Sequence, residues 1–116
     1  MSGGDWKDLY QAAMSGDLAL VQHHIAEGIN PNYQHPEILC TPLVASIING
    51  HLQIALYLLT QGADPNMLSI MDSLTPLQAA KMHQHKDVVT ALEKLGAKEE
   101  AQSVWQRLVN KLVPSV

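Results

Sequence analysis

The stretch TPLVASIINGHLQIALYLLTQGADPN, residues 41–66, decides the fold of this 116-residue chain. It holds a short apolar segment and a longer one, with a break at Asn49-Gly50-His51 between them. Thr41 is a good N-cap, and Pro42 suits the first helical position, where a missing N–H costs nothing. Gly62 can end a helix, because glycine takes the left-handed conformation without a side-chain penalty. The stretch therefore predicts two consecutive helices followed by a turn.

The same pattern recurs with a spacing of 34 residues. GINPN at residues 28–32 matches GADPN at residues 62–66, and no gap is needed to keep the register. Further matches are Gly28, Gly62, Gly96, Thr41-Pro42-Leu43 and Thr75-Pro76-Leu77. Self-similarity at one fixed period is typical of repeat architectures. We therefore expect three copies of a unit that contains a short helix, a longer helix and an extended turn.

This pattern resembles the ankyrin repeat family over roughly residues 7–98. Residues 41–66 follow the family's TPL, GH, leucine-rich helix and GAD-x-N in order. The resemblance implies an all-α solenoid of helix-turn-helix units with short extended turns. The outer units depart from the pattern, with Lys7-Asp8-Leu9 in place of TPL and Gln84-His85 in place of GH. Terminal repeats are expected to be atypical because one of their faces meets water.

These observations predict an order of segments along the chain. We expect a flexible N-terminus at residues 1–5, repeats at residues 6–39, 40–73 and 74–98, and an amphipathic helix at residues 99–116. The apolar stripe of that last helix consists of Val104, Trp105, Leu108, Val109, Leu112 and Val113, at helical spacing. The stripe is expected to cover the open end of the third unit, or alternatively to serve as a docking or dimerisation helix. Trp6 is expected to cover the open end of the first unit.

Composition favours a folded cytoplasmic protein. Apolar residues make up 47% of the chain, which argues against disorder. The single cysteine, Cys40, rules out an internal disulfide and fits a reducing compartment. The first eleven residues lack a basic region followed by an apolar run, so we expect no signal peptide. No apolar segment approaches the length of a membrane span, so we expect no membrane association.

Charge is distributed unevenly. Residues 1–80 contain one basic side chain, Lys7, and seven acidic ones, whereas residues 81–116 carry a net charge of +2. The acidic part repels phosphate backbones, so nucleic-acid binding is disfavoured. Solvated surface is the simpler interpretation of these acidic residues, and the attraction of basic partners is the alternative.

Signals for chemistry are weak, so we expect no enzyme, no cofactor and no metal. There is no P-loop, HExxH, CxxC or GxSxG motif. Cys40 is interpreted as a small apolar residue rather than a functional thiol. The adjacent His23 and His24 are expected to point in different directions, and His83 and His85 lie in a loop. A metal- or thiol-dependent enzyme or sensor is the least favoured alternative.

The resemblance implies a non-catalytic module, such as an adaptor, an enzyme inhibitor or an assembly factor, that binds a protein partner through a concave surface of first helices and turn tips. The position two residues before the GH site is apolar in all three units. The turns at residues 33–40 and 67–74 are apolar where the family is usually polar. The predicted contact residues are Met14, Tyr33, Ile48, Asn49, Met67, Leu68, Ile70, Met71, Met82 and His83.

Two alternatives stay open for these residues. Several turn side chains, such as Leu39 and Leu74, are expected to pack between neighbouring turns instead of facing a partner. The chain is expected to be a monomer or a weak homodimer. A self-associating structural protein, which would use the Trp105 helix or the apolar turns, is the main alternative function.

Overall fold

The computed structural model describes residues 3–98, with side chains from residue 6 onward. These residues form six α-helices: α1 Gly3–Ser15, α2 Leu18–Ala26, α3 Pro42–Ile48, α4 Leu52–Thr60, α5 Pro76–Met82 and α6 Lys86–Lys94. Extended pairing within residues 3–98 is limited to one isolated bridge between Ser69 and Leu74. The prediction of an all-α helical repeat fold is confirmed. The predicted helix that carries Trp105 lies outside the described residues.

The helices form two layers. Within each unit the first helix packs on the second, and across units α1 contacts α3, α3 contacts α5, α2 contacts α4, and α4 contacts α6. Equivalent leucines of the three first helices, Leu9, Leu43 and Leu77, are buried in one continuous core. Buried alanines such as Ala13 and Ala80 let neighbouring helices approach closely. No helix among residues 3–98 is both long enough and apolar enough to cross a membrane.

The first helix of unit one is longer than its counterparts. α1 has 13 residues, whereas α3 and α5 have 7 each. It begins at Gly3, inside the segment that the sequence predicted to be flexible. No Thr-Pro pair precedes α1 to fix its start, and Trp6 and Leu9 in its first turns are both buried. Their burial packs α1 from residue 6 onward against the core.

Helix starts follow local capping rules. The Thr41 side chain accepts a hydrogen bond from Val44 N at 3.1 Å, and Thr75 does the same for Gln78 N at 3.2 Å. Gln78 completes a capping box, because its Oε1 accepts a bond from Thr75 N at 2.9 Å. The predicted N-caps are therefore confirmed.

Histidines fasten each later unit to the one before it. His51 and His85 stand at the N-cap positions of α4 and α6, but neither ring caps its own helix. The His51 Nε2 atom is 3.0 Å from the carbonyl oxygen of Met14, and the His85 Nε2 atom is 3.1 Å from that of Ile47. Each ring thus binds a carbonyl in the last turn of the preceding first helix, where helical hydrogen bonding is incomplete.

Left-handed backbone ends the helices in the predicted register. Gly28, Gly62 and Gly96 have φ angles of 93°, 93° and 83°. A second series lies in the break between the two helices of each unit, where Gly16 and Gly50 have φ angles of 87° and 78°. The third member of that series is Gln84, whose φ is 58° although it carries a side chain.

Asparagines connect successive turns. Asn32 Nδ2 donates to the Gly62 carbonyl oxygen at 2.9 Å, and Asn32 Oδ1 accepts from Asp64 N at 2.7 Å. Asn66 repeats this arrangement with the Gly96 carbonyl oxygen at 3.5 Å and Lys98 N at 2.8 Å. Local bonds come from Asn30 and Asp64, whose side chains accept from the amides two residues later.

Replacing Gln84 with glycine should stabilise the protein. A side chain in left-handed backbone costs about 1–2 kcal/mol, which exceeds the roughly 0.5–1 kcal/mol that glycine costs in chain entropy. We expect Gln84→Gly to raise the free energy of unfolding by about 0.5–1 kcal/mol, measured by urea denaturation. Gln53→Gly, at an exposed position within α4, is the control and should lose about 1 kcal/mol. Equal losses in both variants would contradict the interpretation of Gln84 as strained.

Replacing Asn32 with aspartate should weaken the connection between the turns. Asp can still accept from Asp64 N, but it cannot donate to the Gly62 carbonyl and would place a carboxylate against it. We expect the free energy of unfolding to fall by about 1 kcal/mol or more in urea denaturation. Asn30→Asp adds the same charge two residues away and keeps its acceptor role toward Asn32 N. A loss of stability as large in Asn30→Asp would show that charge alone is responsible.

Candidate interaction surface

Two turns lie side by side at one edge of the helix layers. The first turn comprises residues 30–41 and the second comprises residues 64–75. Gln34 Nε2 donates to the Leu68 carbonyl oxygen at 3.0 Å, and Met71 N donates to the Leu39 carbonyl oxygen at 2.9 Å. These bonds fix the register of one turn against the other, so the two turns present a joint surface.

Ser69 joins the two turns from the inside. It is buried, and its Oγ accepts from Thr41 N at 3.1 Å while it donates to Asp72 Oδ2 at 2.7 Å. Its backbone also pairs with Leu74, whose amide and carbonyl close the tip of the second turn. The amide of buried Thr41 is therefore satisfied by a residue 28 positions further along the chain.

This closure leaves apolar side chains at the tip of the second turn. Ile70 is 48% exposed and Met71 is 66% exposed. Both lie between the paired residues Ser69 and Leu74, in a loop too short to fold back on them. Ser73 takes a left-handed φ of 54° at the same tip. The tip is thus a fixed apolar projection.

The first turn rests on an aromatic cluster. Trp6 of α1 stacks on Tyr10 with ring centroids 5.3 Å apart, and the edge of Tyr33 meets it at 6.0 Å. His35 also stacks on Trp6, with ring centroids 6.1 Å apart. Tyr33 keeps 44% of its surface exposed, whereas Trp6 is buried. In the structure, Trp6 therefore packs against the first turn, and the cluster holds Tyr33 in place.

Tyr10 lies where α1 approaches the start of the second unit. Burial, with a hydrogen bond to Cys40 as the next cause, raises the pKa of the Tyr10 hydroxyl above its usual range. Cys40 itself is buried. Its thiol therefore belongs to the packing between the first turn and α1.

The predicted contact residues fall into two groups, and none of them is buried. The exposed group is Tyr33, Asn49, Ile70, Met71, Met82 and His83, with Met82 at 64%. The half-buried group is Met14, Ile48, Met67 and Leu68. Ile48 packs against the core, as do the turn residues Ile38 and Leu74. The three apolar side chains at the ends of the first helices therefore differ in exposure. Met82 is exposed, whereas Met14 and Ile48 are half-buried.

Acidic side chains accompany the apolar tips. Glu37 of the first turn is exposed, and Asp64 and Asp72 of the second turn are exposed as well. Lys7 lies 4.0 Å from Glu37, and it is the only Lys or Arg in residues 1–80. The two turns themselves therefore carry three carboxylates and no Lys or Arg, and Lys7 and Lys98 lie beside them.

The histidines have separate structural settings. The Nε2 atoms of His51 and His85 already contact backbone carbonyls, and the ring of His83 stacks on that of His85 at 6.0 Å. His23 and His24 differ from the sequence expectation that they point apart, because their ring centroids are 5.5 Å from each other. Glu27 lies next to both of them. This trio is the group among residues 6–98 whose donor atoms could converge on a metal ion.

Sequence reasoning missed the residues that hold the two turns together. Ser69 is a polar residue between Leu68 and Ile70, and that contrast was the available signal, whereas Gln34 has polar neighbours and gave no such signal. A polar residue that is buried in a turn must find a hydrogen-bond partner, so its presence among apolar neighbours indicates a structural bond.

Removing the Ser69 hydroxyl should loosen the turns. Ser69→Ala leaves the buried Thr41 amide without an acceptor, which costs about 1–3 kcal/mol. We expect the free energy of unfolding to fall by that amount in urea denaturation. Ser15→Ala is the control, because Ser15 is exposed and its hydroxyl bonds only within its own helix. A Ser69→Ala protein as stable as the Ser15→Ala protein would contradict the role given to this hydroxyl.

The family comparison agrees with this architecture. A protein-family model that describes three copies of the ankyrin repeat matches residues 9–103, which is most of the chain. No curated protein matches the chain.

Proposed function

The chain belongs to the ankyrin repeat family, whose members generally bind other proteins and typically do not catalyse reactions, and we propose that it is a non-catalytic protein-binding module. The proposed contact surface consists of the two turn tips and the ends of the first helices. Its exposed apolar members are Tyr33, Ile70, Met71 and Met82. An adaptor, an enzyme inhibitor or an assembly factor would each use such a surface.

The exposed tip of the second turn carries the proposal. The fold leaves two large apolar side chains, Ile70 and Met71, exposed to water. Fully burying a side chain of this kind at an interface would contribute about 1.5–3 kcal/mol to the free energy of binding. Hydrogen bonds to Gln34 and Leu39 fix the backbone of both residues. A preformed surface loses little conformational entropy on binding, so more of this energy is available for affinity. Methionine adds an adaptable side chain that suits binding surfaces.

The charges favour a partner segment that is both apolar and basic. Glu37, Asp64 and Asp72 flank the apolar tips, and they would attract Lys or Arg side chains and speed encounter. The same charges argue against nucleic acid, because a phosphate backbone would be repelled. We propose a cytoplasmic setting for this encounter, since a reducing compartment suits the single buried thiol of Cys40.

Self-association is the second candidate function. The observation in its favour is the same exposed pair, Ile70 and Met71, which a second copy of the chain could cover. A rise in mass with protein concentration in light scattering, abolished by charges at this pair, would favour it. A monomer at high concentration would exclude it and leave the tips to a different protein.

Charges at the tip should abolish partner binding without unfolding the protein. We expect Ile70→Glu with Met71→Glu to keep the helical circular dichroism of the wild type, because both side chains are exposed. Affinity for a partner should fall at least about tenfold, since side chains at the centre of an interface contribute about 2 kcal/mol or more. The measurement is paired capture from an extract of the source cells, followed by titration of the captured protein.

The matched control is Leu20→Glu, an exposed apolar residue of α2 that lies outside the proposed surface. It should capture the same protein as the wild type with the same affinity. Equal binding by the double variant and the wild type would overturn the proposed surface.

A further inference from the structure

The end of α2 carries two imidazoles and a carboxylate within reach of one another. Possible donor atoms of His23, His24 and Glu27 all lie within 4.8 Å of each other. The closest contact joins His23 Nε2 to Glu27 Oε1 at 2.6 Å. No other trio of His, Cys, Asp or Glu residues comes together in this way among residues 6–98. The equivalent positions of the second unit, Tyr57 and Leu58, carry no such donors.

Helical geometry explains why the three side chains meet. Residues three and four apart are neighbours on a helix surface, and Glu27 is three residues from His24 and four from His23. Glu27 therefore lies next to both rings, although the side chains of adjacent helical residues leave the helix axis in different directions. The expectation that the two histidines point apart did not take this shared neighbour into account.

The electrostatic setting favours a cation. The trio lies at the C-terminal end of α2, where the helix carries partial negative charge. The carboxylate of Glu27 adds a full negative charge. The chain contains no Lys or Arg between Lys7 and Lys81, so none within that part of the sequence competes for the carboxylate.

We propose that His23, His24 and Glu27 bind a divalent transition-metal ion of the zinc type. Imidazole nitrogen and carboxylate oxygen are zinc ligands, and two of the first with one of the second leave a fourth position for water. Zinc bonds of about 2.0–2.1 Å place tetrahedral ligand atoms about 3.3 Å apart. Small side-chain rotations must therefore lengthen the contact between His23 and Glu27 and bring the other donor atoms closer together. The His23 and Glu27 side chains are 63% and 58% exposed and are free to make them.

The zinc site would act on the end of α2 and not on the partner surface. It lies on a second helix, whereas the proposed partner surface comprises turn tips and first-helix ends. An ion that bridges His23, His24 and Glu27 binds the helical arrangement and not the unfolded chain. It therefore stabilises the folded state by mass action. Either proposal can fail while the other stands.

Calorimetric titration of the full chain, without any affinity tag, tests the site. Zinc sulfate added to chelator-treated protein should bind at one ion per chain. Losing even the hydrogen-bond partner of a metal ligand lowers metal affinity about 10–100-fold. We therefore expect zinc binding to weaken at least about tenfold in each of His23→Ala, His24→Ala and Glu27→Gln. His83→Ala, which removes an exposed imidazole elsewhere, is the control and should bind like the wild type.

Thermal melting gives an independent readout. Zinc should raise the melting temperature of the wild type and of His83→Ala, and it should leave the three ligand variants unchanged. His24 is half-buried, so if His24→Ala fails to fold, the exposed positions His23 and Glu27 decide the outcome. Absence of zinc binding to the wild type, or undiminished binding by His23→Ala or Glu27→Gln, would overturn the proposal.

Discussion

The fold depends on how the turns between helix pairs satisfy their backbone groups. These turns form no continuous sheet ladder, so side chains supply part of their hydrogen bonds, and Asn32 and Asn66 supply such bonds to the following turn. An amide side chain donates with one atom and accepts with the other, which lets one residue bind both an N–H and a C=O group of its neighbour. The bonds recur at the spacing of the repeat. Each unit is thereby set in the same orientation on the one before it.

This constraint explains why exposed apolar side chains are possible at the turn tips. Gln34 and Ser69 hold the two turns together through polar contacts, so Ile70 and Met71 are not needed for their cohesion. Ile38 and Leu74, in the same segments, pack against the core and stabilise the turns from beneath. One short segment thus divides its apolar residues between stability and a surface available to another protein.

The three units are not equivalent, and their differences follow from their places in the stack. The first unit has a longer helix and an aromatic cluster in which Trp6 packs against its own turn. It also holds the histidine pair with Glu27. The third unit lacks a glycine at the break between its helices and accepts strain at Gln84. The middle unit follows the family pattern most completely, because it meets a neighbour on both sides, although Val44 stands where the family usually has His.

The sequence by itself determined the helices, their caps, their glycine stops and the 34-residue register. Those features depend on bonds between residues a few positions apart, so Thr41, Thr75 and Gly62 could be interpreted without any distant partner. Sequence also indicated which turn segments would be unusually apolar. Only the tertiary structure decided which of those side chains face water, where the asparagine amides donate, and that Glu27 brings His23 and His24 together. Burial of a turn residue depends on a neighbouring turn about 30 residues away, and local patterns carry no information about that neighbour's position.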